Sequence, residues 1–124
     1  QVGPDGSVVA VESSRTAVAD GAAALADLPQ ASLRAAPVEQ ELGNLPTPVD
    51  VIVLDPPRSG AGRRVVEAIA AAAPRRVVYV ACDPAALGRD VALFAGLGYA
   101  MSGLRAFDAF PMTHHVECIA LFEP

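Results

Sequence analysis

The stretch "YVACDP" (Tyr79 to Pro84) contains the residue best suited to covalent chemistry, Cys82. It ends the apolar run "RRVVYVA" and directly precedes Asp83 and Pro84, residue types that cap and open a helix. A thiol there lies beside the positive end of a helix dipole, which favours an anionic, nucleophilic sulfur. Position alone fits equally well a small residue that merely ends a strand. Three carboxylates hold comparable places: Glu12 closes "VVAVE", Asp55 closes "VIVLD", and Glu117 lies in "HHVECIALF". On strict alternation Glu117 shares a face with Ile119 and Leu121, and carboxylates in apolar company hold protons more tightly, which suits a general base; the alternative is a strand-start residue still in solvent. Arg58, in the stiff turn "DPPRSG", and Arg89 read either as contacts for a polyanionic substrate or as surface charges. His114 and His115 are adjacent and lack a spaced partner, so no metal site is expected. Cys118, inside an apolar strand, reads as core.

These residues need elements to hold them. "GSVVAVE" predicts a strand ending at Glu12, followed by an alanine-rich helix capped by Ser13 or Ser14 and running to Asp27. "ASLRAA" predicts a short strand and "GNLPTP" a loop. "VDVIVLD" (Val49 to Asp55) is a continuous apolar run, expected to be a strand covered on both faces. Val65, Val66, Ile69, Ala70 and Ala73 recur at helical spacing until Pro74 stops them. A second apolar strand follows at "RRVVYVA", then a helix from Asp83 to a stop at Gly98. The remainder predicts two strands joined by a turn. Strands alternating with helices imply an α/β open sheet, where ligands bind beyond the carboxyl ends of the strands. Glu12, Asp55 and Cys82 all fall at such ends. An acid closing a strand of a nucleotide-binding sheet also suits a ribose hydroxyl pair.

Composition sets limits. The chain has 124 residues, 52% of them hydrophobic, and a net charge of −5 in which all nine cations are arginine. An acidic surface is a poor electrostatic trap for nucleic acid, so most of any phosphate-binding surface must lie elsewhere. No apolar run is long enough to span a membrane, no signal peptide is evident, and two cysteines make no disulfide framework, so a cytoplasmic setting is expected.

The ordered segments "VVAVESS", "VIVLDPPRSG", "VVYVACDPAALGRD" and "FDAFPMTHHVECIALF" resemble the RNA 5-methyluridine methyltransferases, which transfer a methyl group from S-adenosylmethionine to C5 of uridine in tRNA or rRNA. The resemblance implies a Rossmann-like class I methyltransferase sheet. It also implies that Cys82 attacks C6 of the uracil, that Glu117 removes the C5 proton, and that Glu12 and Asp55 contact S-adenosylmethionine. Related 5-methylcytosine enzymes carry a second cysteine where this chain has Pro57 and Arg58, and adenine methyltransferases with similar turns have an aromatic residue there. The family has asparagine at the position of Asp83, and an acid in a segment that here reads "RAAP". Its glycine-rich donor turn and first, central strand have no counterpart in these residues. Residues 1–124 are therefore expected to be one partial catalytic domain, lacking an N-terminal portion and RNA-binding domain. Alone it should be inactive, with a gap between the strands ending at Glu12 and Asp55 and with exposed edges open to self-association. The competing reading is a catalytically silent α/β binding or assembly module whose cysteine is structural.

Overall fold

The computed structural model describes residues 2–45, 47–113 and 115–124, which fall into two compact units divided after Leu45. His114 lies outside the described residues.

In the first unit, β1 (Val8–Glu12) pairs in parallel with β2 (Ala31–Ala35), from Val8 opposite Ala31 to Glu12 opposite Ala35. The crossover is α1 (Arg15–Ala24), whose N-cap Ser14 accepts the N–H of Ala17. This helix stops short of the expected Asp27. The Leu25 N–H bonds to Gly21, and the Leu28 N–H bonds back to Leu25, folding the chain toward β2. No residue of α1 is fully buried, so little apolar packing prolongs it. One helical turn, α2 (Val38–Glu41), and a 3₁₀ turn (Leu42–Asn44) follow, so Gly43 and Asn44 are helical rather than loop. Arg34 ties this segment down through Glu41 at 2.9 Å.

The second unit contains β3 (Val51–Leu54), α3 (Gly62–Ala71), β4 (Arg76–Ala81), α4 (Pro84–Gly96), β5 (Ala100–Phe107) and β6 (Glu117–Glu123). Its sheet runs β3-β4-β6-β5, with β3 parallel to β4 and β6 antiparallel to both of its neighbours. Residues opposite one another in register share a face. Val77, Tyr79 and Ala81 therefore lie beside Phe122, Ala120 and Cys118, and all six are buried. Helix α4 packs on β4, β5 and β6, and α3 lies alongside α4. Val65, Val66 and Ile69 of α3 and Phe94 of α4 complete the core, with Phe94 stacked on Phe122 at 4.5 Å between ring centres. Cys118 is core, as its setting in the sequence suggests.

The expectation that Val49 to Asp55 would be covered on both faces is not met. Val51 and Val53 are 50% and 67% exposed, because β3 is an edge strand and only the Ile52 and Leu54 side turns toward the core. Among the described residues no strand pairs with the second edge of β1 or of β3. None of the described helices is long and apolar enough to cross a membrane.

Candidate active site

The site gathers at the carboxyl ends of β3 and β4. Cys82 leaves β4 half-buried and outside any disulfide. Asp83 then takes the extended conformation of an N-cap and accepts the Ala86 N–H at 2.7 Å, with Pro84 opening the helix. Two rigid elements thus fix Cys82, the β4 ladder before it and a capped helix after it.

Strand direction brings the second candidate alongside. The β4–β6 ladder ends with Ala81 opposite Cys118, so Cys82, in the bend just past β4, and Glu117, the first residue of β6, both adjoin that last pair. Glu117 lies on the face of Ile119, which is opposite Val80. Phe107 of β5 is opposite Glu117 on its other side. The apolar enclosure expected around Glu117 is not formed. Glu117 and Leu121 are only half-buried, and Ile119 is exposed, because this face of β6 turns away from the core.

Asp55 is one step beyond Leu54, which pairs with Tyr79, and its carboxylate is exposed. The chain then turns, with the Gly60 N–H bonding to Pro57 at 2.8 Å. Arg58, in that turn, places Nη2 3.3 Å from Nε2 of His115, so the turn touches the segment leading into Glu117. Arg89 donates to the Ser59 carbonyl at 3.5 Å from α4. Cys82, Glu117, Asp55, Arg58 and Arg89 are therefore grouped at one end of the four-stranded sheet. Two guanidinium groups, of Arg58 and Arg89, thus stand among the carboxylates of this end of the sheet. His115 also meets Phe110 edge-on, and no metal-binding cluster occurs among the described residues.

Glu12 belongs to the first unit, where it closes β1. Its Oε1 accepts the Ser14 N–H at 2.7 Å and the Ser13 hydroxyl at 3.2 Å. The Ser14 N–H first, and the Ser13 hydroxyl second, hold this carboxyl below its ordinary value, so it is an ionised acceptor. Oε2 has no partner among the described residues and could receive a hydroxyl.

Two residues that the sequence reading passed over also belong here. Asp90 is buried on the apolar stripe of α4 with Ala86, Leu87 and Phe94, and Tyr79 donates to it at 2.6 Å. A charged residue on an apolar stripe was the available signal.

The family model for tRNA (uracil-5-)-methyltransferase matches residues 45–124, which takes in the whole second unit. The chain belongs to this family. An uncharacterized RNA methyltransferase of Streptomyces avermitilis is 48% identical over the full chain, which spans 29% of that relative. One from Thermotoga maritima is 44% identical over 89% of the chain and 26% of its own length. The chain thus spans less than a third of the curated relatives it matches. The tRNA (uracil-54, C5)-methyltransferase of Pyrococcus abyssi, solved in complex with S-adenosyl-L-homocysteine, superposes with a TM-score of 0.79. It is 28% identical, covering 94% of this chain and 28% of its own. A precorrin-6y C5,15-methyltransferase of Geobacter metallireducens, 16% identical with a TM-score of 0.74 over 98% of the chain and 69% of its own, shares the fold. The chain therefore carries part of the Rossmann-like α/β fold of class I methyltransferases.

Proposed function

We propose that this chain carries the reacting residues of an enzyme that methylates C5 of uridine in tRNA or rRNA, with S-adenosylmethionine as methyl donor. The observation that carries the reading is the end of the β4–β6 ladder, where Cys82 follows Ala81 and Glu117 precedes Cys118, at the same sheet end as Asp55. The Cys82 thiolate bonds to C6 of the uracil, and the displaced π pair makes C5 nucleophilic. The donor supplies an electrophilic methyl group to C5. The Glu117 carboxylate then takes the C5 proton; the C–H pair re-forms the C5–C6 double bond and expels Cys82 as thiolate. Asp55 and Glu12 are acceptors suited to the hydroxyls and ammonium of the donor, and the ionised, oriented Glu12 fits a ribose. Arg58 and Arg89 suit the phosphates or carbonyls of the RNA. The 124 residues act as part of a larger catalytic domain and are inactive alone, with the free edges of β1 and β3 open to pairing, including with a second copy.

The test uses the full-length protein with labelled S-adenosylmethionine and RNA containing 5-fluorouridine. Fluorine cannot leave C5 as a proton, so the enzyme should stall as a covalent adduct that survives a denaturing gel and disappears in Cys82→Ala. Absence of adduct across tRNA and rRNA panels, despite donor binding, would overturn the assignment.

A further inference from the structure

Asp90 is 3% exposed, and among the described residues no ion pair reaches it. A carboxylate in that position needs donors, and it has three. Oδ2 accepts the Tyr79 hydroxyl at 2.6 Å and the Ala61 N–H at 2.7 Å, while Oδ1 accepts the Gly62 N–H at 3.2 Å. Ala61 and Gly62 are the opening residues of α3, whose N-cap position offers no side-chain acceptor. The first N–H groups of a helix lack intrahelical partners and carry its positive dipole end. Asp90 therefore caps α3 from α4, across the fold. Gly60 makes the close approach possible: a Cβ there would stand 2.7 Å from Oδ2, and its φ of +86° suits glycine.

The segment that begins beneath this clamp is the turn with Asp55 and Arg58. It is anchored on one side by Leu54 paired with Tyr79, and on the other by Asp90 at Ala61 and Gly62. Tyr79 takes part in both anchors. Between them the turn closes through one backbone bond, from Gly60 to Pro57. Cys82 is held separately, by Asp83.

We propose that Asp90, assisted by Tyr79, is a positioning residue that sets the Asp55–Arg58 turn relative to Cys82, an inference that rests on the methyl-transfer reading of the site. Loss of the clamp should displace the donor-side carboxylate and leave the nucleophile in place.

Asp90→Asn in the full-length protein preserves shape but turns one acceptor into an NH2 group facing N–H donors. Amide exchange at Ala61 and Gly62 should accelerate about tenfold or more. The KM for S-adenosylmethionine should rise on the order of tenfold, with a smaller change in kcat. Alkylation of Cys82 by iodoacetamide should stay within about twofold of the parent rate, since its own anchors are intact. Tyr79→Phe should move the first two readouts less and in the same direction, and it carries the test if Asp90→Asn does not fold. Faster exchange with unchanged KM in the folded variants would make the clamp purely structural and overturn the proposal, as would failure of both to fold. A parent protein that binds no donor would overturn the methyl-transfer reading together with this inference. Donor binding by the parent, with unaltered KM in the variants, would overturn this inference alone.

Discussion

Helices α3 and α4 lie side by side, yet their first turns are satisfied in opposite ways. At α4 the acceptor is local: Asp83 reaches the N–H of Ala86, three residues on. At α3 the acceptor comes from Asp90, in another helix, with Tyr79 sharing the same oxygen. A local cap is a modular part that can be exchanged with limited consequence. A cap supplied across the fold binds together a turn, two helices and a strand, so disturbing it should be felt at all of them.

The difference can be broken experimentally at several points. Asp90→Ala leaves the Tyr79 hydroxyl and two helix N–H groups without their acceptor, and should lower unfolding free energy by about 3 kcal/mol in urea titrations. A loss no greater than that of the Asp83 variants would show that the two caps are equivalent after all. Tyr79→Phe removes one hydrogen bond to a charged group and should cost about 1.5 kcal/mol. It should also change the alkaline behaviour. Burial first, and the bond to Asp90 second, push the Tyr79 hydroxyl above its ordinary value of 10.0. A raised folded value contributes stability that is complete below the unfolded value and is lost as pH rises through the folded one. Stability measured from about pH 8 to about pH 11 should therefore fall less steeply in Tyr79→Phe than in the parent. Asp83→Ala should cost about 1 kcal/mol, the ordinary loss for a helix cap, with alkylation of Cys82 as a second readout. Asp83→Asn, which keeps a good capping side chain, should change the unfolding free energy by only a few tenths of a kcal/mol.

The same contrast explains what could be read in the sequence. Asp83 followed by Pro84 states its function within a few residues, and the helix stop at Gly98 (φ +89°) is similarly local. The cap of α1 was legible as Ser13 or Ser14 for that reason, and it is Ser14. Asp90 was not, because its partners at Ala61, Gly62 and Tyr79 are remote in sequence and a glycine contact leaves no side-chain signal. The apolar run through Val51 and Val53 indicated a strand correctly, but not which strand would be an edge. For Glu117 the alternation of faces was readable. Its half-open setting was not, since that depends on which side of β6 the helix covers. The pairing of Glu117 with Phe107 required the register itself.

Strand β6 has one more consequence, which concerns time rather than space. It is inserted between β4 and β5, so the residue that opens it reaches the Cys82 end of β4 only after β5 has been made and the chain has doubled back. Long-range pairings of this kind are slow to form, because the ordering of the intervening chain precedes the contacts that stabilise it. A growing chain therefore presents its thiol well before it possesses the carboxylate beside it. Until that last strand arrives, β4 also offers a bare edge to any neighbouring chain.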